Sequence, residues 1–372
     1  MTLNHKAIHS QRLERWLGAD KIAQLSQSMK GWYGPPINLR DVPGSVWMGR
    51  DGDFCGDFDR GCFASAADSL ADHLKRLWRA AGTPTHGMAA AGFASIGEAL
   101  SRSSQGYSQM LNVQKVGVTG VASATNSLWG VGAMPAVGAN GDAAPGGRVP
   151  TSATVGAIPF THPASGTLHL TGADMSCGIV NNALLLYDRI FDVAKTMNSI
   201  AAEAVTGVPT RYQNTTAGQA DSVVGNFLFM ECATALPATA HNWNVCTYTD
   251  QTGSGSTLPS VVGNASNIVR RLDMPIAQWF APLDTGDTGI KALTQIQCSA
   301  AVATGAINFV IGHPIGIMAF PLAIMTMPFD WLTNKQQAPR IFSEACLSML
   351  EIVKPSTSAT TYVGQLYATS AA

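Results

Sequence analysis

The chain has 372 residues and a mass of 39.0 kDa, enough for two domains or for one large β domain with an elaborated N-terminal region. Its 23 basic and 24 acidic side chains leave a formal net charge of -1, which excludes attraction to nucleic acid or to an anionic membrane through whole-chain charge. Seven cysteines, an odd number with no repeated CxxC spacing, argue against a disulfide framework and point to reduced thiols in a cytosol.

In chain order, the N-terminal MTLNHKAIHSQRLERW has no apolar stretch of signal-peptide length, so the protein is expected to be made and kept inside the cell until assembly or lysis. Leu13, Trp16, Leu17, Ile22, Leu25 and Met29 are spaced for a helix over 10–30, with a turn at Gly31 to Pro36. The densest polar cluster follows. Asp51, Asp53 and Asp59 occupy the first, third and ninth positions of a calcium loop, with Gly56 at the sixth and Asp57 at the seventh. Cys55 stands where an oxygen ligand belongs and Cys62 where the bidentate Glu belongs, so these four Asp are a candidate hard-cation site beside the commoner reading of an acidic surface turn. Cys55 and Cys62 with His73 or His86 match no zinc-ribbon or finger spacing, and ordinary thiols are the expectation. No cofactor is expected.

Residues 65–81 predict the best helix: Ser65 and Asp68 open it, Leu70, Leu74, Leu77 and Trp78 form one face, and Gly82 can close it. From Met88 to Pro163 the composition turns to Ala, Gly, Ser and Val, and Gly138 to Pro150 holds the residues of a linker, so 106–164 is expected as an extended arm between a mixed, partly helical region 1–105 and an assembly domain 165–372. Charge is concentrated early: the first 105 residues carry 12 basic and 10 acidic side chains, while 146–372 carry 23 charged residues in 227.

Beyond 165 come short strand candidates bounded by turn residues, at 167–170, 183–191, 222–232, 243–249, 293–303, 307–311 and 361–367. Asp192 to Ala204 and Pro339 to Val353 also fit helical spacing. Residues 292–329 contain no Asp, Glu, Lys or Arg, yet Asn308, His313, Pro314, Pro321 and several Gly interrupt them. A bilayer-spanning helix does not tolerate that pattern without special partners, and covered β-structure does. The expected fold is mainly β, a sandwich or jelly roll over 165–372, and no membrane association is expected.

Catalytic motifs are missing from the sequence: it has no GxSxG, Walker A or HExxH. His162, His169, His241 and His313 are far apart, so each reads first as a structural histidine. Asp284-Thr-Gly286 is a lone DTG triplet followed by Asp287, more readily a turn than half of an aspartic-protease dyad. Trp243, Tyr248, Trp279 and Phe280 have only Arg270 and Arg271 near them, too little for a single-strand or sequence-specific nucleic-acid groove.

Ala183-Leu-Leu-Leu-Tyr-Asp-Arg189, Tyr248-Thr-Asp-Gln-Thr-Gly253, Gly286-Asp-Thr-Gly-Ile-Lys-Ala292 and Thr361-Tyr-Val-Gly-Gln365 together resemble virion structural proteins of tailed bacteriophages. The resemblance spans about residues 165–370 and carries no catalytic residue. It implies a self-assembling homo-oligomer, a capsid shell or capsid-associated protein that contacts other virion proteins and assembles in the host bacterial cytoplasm. A tail or baseplate component is the near alternative. Two readings of other classes stand beside it: a glycan- or receptor-binding sandwich using Trp243, Tyr248 or Trp279 as a stacking platform, and a hydrolase with an unrecognised site, which requires a deep polar pocket.

Overall fold

The computed structural model describes residues 46–48, 54–56, 92–117, 119–332, 338–352 and 356–371. The chain divides into two compact units, Met1–His86 and Gly87–Ala372. In the first, strands β1 (Val46–Met48) and β2 (Phe54–Gly56) pair antiparallel with Trp47 opposite Cys55. The helices expected over 10–30 and 65–81 lie outside the described residues.

The second unit opens with helix α1 (Ile96–Ser104). Ser95 caps it by accepting the Glu98 N–H at 3.0 Å, and the Glu98 carboxylate accepts from the Ala94 N–H, one residue ahead of the cap, at 2.6 Å, a near relative of the capping box that Ser-x-x-Glu encodes. The first strands are β3 (Ser108–Val116), β4 (Asn126–Ser127), β5 (Ala133–Met134) and β6 (Asp142–Ala143). Next are β7 (Thr167–Cys177), β8 (Asn182–Thr196), β9 (Glu203–Ala204), β10 (Phe227–Thr234), β11 (Asn242–Asp250), β12 (Gly255–Thr257) and β13 (Val261–Val262). The last are β14 (Ile290–Cys298), β15 (Ala306–Phe320), β16 (Thr326–Asp330), β17 (Arg340–Ile341), β18 (Leu347–Ile352) and β19 (Thr361–Ala371).

The fold is mainly β, as the strand pattern predicts. One sheet has the order β10-β15-β8-β18-β4, a second β12-β11-β14-β9, and a third β16-β7-β19-β3-β5. On one face of the first sheet, Leu184 and Leu186 share a core with Met175 of β7 and Tyr362 and Leu366 of β19. On the other, Leu185, Tyr187 and Phe309 share a core with Trp243 and Tyr248 of β11 and Ile296 of β14. The sheets therefore stack in three layers, with a core on each face of the middle sheet.

Double coverage explains the charge-free run, because a strand buried on both faces cannot alternate apolar with polar. β15 is the longest strand of that run, and it passes Pro314 by an irregular register between Pro314 and Gly316. No helix among the described residues is long and apolar enough to cross a membrane. The helical alternatives over 192–204 and 339–353 give way to the end of β8 and to β18.

Residues 106–164 are built into this unit, so the arm expected there is a packed segment. β3 pairs with β19 from Val116 opposite Thr361 to Ser108 opposite Thr369. Leu128 and Trp129 are fully buried, and β6 runs parallel to β8 with Asp142 opposite Val193. The glycine content that reads as linker serves close approach: at Gly147, where φ is +64°, a Cβ would lie 2.5 Å from the Phe191 ring. The boundaries expected near 105 and 164 fall inside Gly87–Ala372.

Candidate functional site

β8 carries Asp188, Arg189, Asp192 and Lys195 inside its apolar run, and all four are completely buried. Arg211 holds Asp188 with Nε and Nη2, each at 2.9 Å, and the Cys346 N–H donates to the same carboxylate at 2.8 Å. Arg189 donates from Nε to Asp192 at 2.6 Å and from Nη2 to Glu231 of β10 at 2.7 Å, with its guanidinium 4.8 Å from the Trp129 ring centre. Arg148 adds a forked pair to Asp192 at 3.0 and 2.7 Å, and Lys195 pairs with Glu203. Burial alone would raise the Glu231 carboxyl; the Arg189 charge and hydrogen bonds from Arg189, Ser127 and Asn308 outweigh it and leave the group below its ordinary value. The network ties the segments of Arg148, Glu203, Arg211, Glu231 and Cys346 to β8. Sealed from solvent, these charges hold structure and offer nothing to an external substrate.

The histidines are each tied locally. His241 Nε2 lies 2.8 Å from Asp273 and its Nδ1 3.2 Å from the Thr239 carbonyl. Both neighbours are acceptors, an arrangement that favours the protonated ring over the neutral one. Asp273 also accepts from Trp243 Nε1 at 2.9 Å and the Asn264 N–H at 2.7 Å. His313 stacks on Tyr212 with ring centres 3.7 Å apart, and its Nδ1 faces Asn226 Oδ1 at 2.8 Å. Burial pushes this imidazole down to about 3, so it is neutral. His169 sits between Thr167 at 2.8 Å and the Ala338 carbonyl at 2.9 Å. His162 is held below its ordinary value by burial first and by the Arg340 charge, against a backbone hydrogen bond to Phe342. These rings do not converge.

Asp51, Asp53, Asp57 and Asp59 lie outside the described residues, as do Cys62, His73 and His86. Among the described residues no group of three or more His, Cys, Asp or Glu is placed to hold a metal ion. Asp284 and Asp287 form the turn read for the DTG triplet, closed by the Asp287 N–H on the Asp284 carbonyl at 3.0 Å, and Asp287 accepts from the Tyr248 hydroxyl. The stacking platform loses two of its three rings, because Trp243 and Tyr248 are buried in the core; Trp279 is half-buried against Phe227 and Phe280.

Few charged side chains of the second unit are fully exposed among the described residues. Among the described residues no lysine or arginine is exposed, and the exposed charged side chains are Asp142, Asp284 and Glu344 alone. A soluble domain commonly has roughly a quarter to a third of its surface residues charged. One open feature is the outer face of the β16-β7-β19-β3-β5 sheet, where alternation points Met110, Asn112, Gln114 and Val116 of β3 and Val363, Gln365 and Tyr367 of β19 away from the core. Gln365 donates to Asn112 at 3.0 Å, and Tyr367 donates to Asp174 at 2.7 Å. A hollow of about 530 Å³ opens there, lined by Asn112, Gln114, Met134, Asp174, Ser176, Thr326, Val363, Gly364 and Gln365. Beside it the loop between β15 and β16, which crosses from the middle sheet to this one, exposes Leu322, Ile324 and Met325, with Ile324 84% exposed.

No family model matches the chain, and neither does any curated protein or solved structure.

The sequence reading did not find this face. Its signal is the alternation Thr361, Val363, Gln365, Tyr367, which shows one uncovered side of a strand but says nothing of what lies on it.

Proposed function

We propose that this chain is a self-assembling structural subunit of a tailed-bacteriophage virion, a capsid shell or capsid-associated protein that acts through contacts with its own copies and with other virion proteins. The observation that carries the reading is the described surface of the second unit, where no lysine or arginine among the described residues is exposed and where Met110, Val116, Met134 and Val363 are exposed on one sheet face. Such a surface resembles the charge-depleted centre of an interface more than the exterior of a solitary protein. The phage assignment rests on the resemblance over about 165–370, and this reading gives the chain no catalytic role. It places the protein in the virion, assembled in the bacterial cytoplasm.

Light scattering behind a sizing column, with negative-stain images of each peak, tests it on the full chain. Rings, tubes or shells of many copies are expected. A monomer at every concentration, alone and after co-expression with the neighbouring virion proteins, would overturn the assembly role.

A further inference from the structure

We propose that Arg270, with the charge of Lys115 behind it, binds a small free oxyanion of the phosphate or carboxylate type beside the turn at Gly130 and Val131. The inference is independent of the assembly reading.

Lys115 is the exception among the buried cations. Arg189 meets Asp192 and Glu231, Arg211 meets Asp188, and Lys195 meets Glu203, so each of those charges is balanced inside the fold. Lys115 is 3% exposed and meets no carboxylate among the described residues. Its Nζ donates to the carbonyls of Val131, Pro135 and Ala136 at 2.9, 2.8 and 3.4 Å, which uses all three protons and cancels none of the charge. Burial first, and the Arg270 charge second, lower this amine to about 8.

Arg270 brings a second positive charge to the same turn. A Cβ at Gly130 would lie 1.6 Å from its Cζ, so the guanidinium fills the place of a side chain there, one residue from a carbonyl that Lys115 holds. Among the described residues no hydrogen bond or ion pair engages this guanidinium, and its Nη1 is buried without an acceptor. The backbone is held in a strained conformation to put it there. Its φ is 79°, while the Arg270 N–H donates to the Cys232 carbonyl and the Arg270 carbonyl accepts the Ser127 N–H, both at 2.8 Å.

Two unbalanced cations at one turn attract an anion, whereas water would satisfy the unpartnered N–H and leave both charges standing. The ammonium has no proton left to give. Contact therefore falls to the guanidinium, whose planar fork matches two oxygens of a carboxylate or phosphate. Arg270 is only partly exposed, so a small ion reaches it with less rearrangement than an acidic side chain carried on another protein.

Isothermal titration calorimetry on the full-length chain, with sodium phosphate and with sodium acetate in chloride buffer of matched ionic strength at pH 7, tests this. At least one of the two salts should bind saturably. Arg270→Gly removes the guanidinium and relieves the positive φ, so the fold should be kept while that affinity falls about tenfold or more. Lys291→Gln, which removes a cation from β14 in another sheet, should leave the affinity unchanged. The Lys115 amine supplies a reading that needs no variant: its titration, followed by NMR, should move upward from about 8 when the same salt is saturating. No saturable heat with either salt, which leaves water or an acid carried by another protein as the occupant, overturns the proposal. So does an Arg270→Gly chain that binds as tightly as wild type, or a Lys115 titration that the bound salt leaves in place.

Discussion

The guanidinium of Arg189 and the carboxylate of Glu231 meet 2.7 Å apart, joining β8 to β10 across the intervening β15 with both side chains wholly removed from water. Removing Arg189 strands the Glu231 charge in the interior, and removing Glu231 takes from the Arg189 guanidinium one of its two buried carboxylates. Glu231→Ala should therefore cost about 3–5 kcal/mol in urea unfolding. The double variant Arg189→Met with Glu231→Leu should cost less than the sum of its two single changes, because neither orphaned charge remains. Additive costs would show that the two groups do not act as a pair.

Two histidines push stability in opposite directions with pH. Burial lowers His241, but the hydrogen bond and charge of Asp273 and the Thr239 carbonyl outweigh it and hold the imidazole above its ordinary 6.5. Its contribution is complete below pH 6.5 and is lost as pH rises through the folded value. His313, brought down to about 3, does the reverse: protonation of the unfolded chain lowers stability as pH falls from 6.5 toward 3. Melting temperatures across pH 4 to 9 should show His241→Gln flattening the limb above 6.5 and His313→Gln flattening the limb below it. A slope above 6.5 unchanged by His241→Gln would remove that ring from the account.

The strands were legible where turn residues bracket β-branched and aromatic runs: each of the seven candidate spans overlaps a strand. Their ends were not. The span 307–311 grows into Ala306–Phe320 because His313-Pro314 reads as a stop, whereas a register shift lets the strand continue past it. Residues 339–353 fit two periods, and pairing of Leu347 to Ile352 with β8 decides for strand. The ionic network left a trace in Asp188, Arg189, Asp192 and Lys195 inside an apolar run, but its partners Arg148, Arg211 and Glu231 come from segments that only the fold brings together. The open sheet face was illegible for the same reason, since exposure belongs to the assembled layers.

Thiol accessibility gives an independent reading of the core. Cys177, Cys232, Cys246, Cys298 and Cys346 are all free and buried, and burial pushes the thiols of Cys232, Cys246 and Cys346 up to about 12. Neither condition favours a reactive thiolate. Of the seven cysteines, at most two should react with a thiol reagent in native protein at pH 8, and all seven in denaturant. More than two fast native thiols would mean that these layers open.

Arg148 decides whether residues 138–150 behave as the linker their composition suggests. Its side chain forks onto Asp192, and the two residues exchange backbone hydrogen bonds of 2.7 and 2.9 Å. Arg148→Ala removes a charge-assisted pair that is only slightly exposed, at a cost of about 1–3 kcal/mol. Hydrogen exchange should then quicken at the amides of Arg148 and Asp192 while those of β11 and β14 keep their protection. A free arm predicts the opposite pattern: an unprotected Arg148 amide already in the wild type and no loss of stability in the variant. That result would detach this segment from the edge of β8. As the structure stands, deleting 106–150 removes β3 and Trp129 and should unfold the unit instead of releasing a trimmed domain.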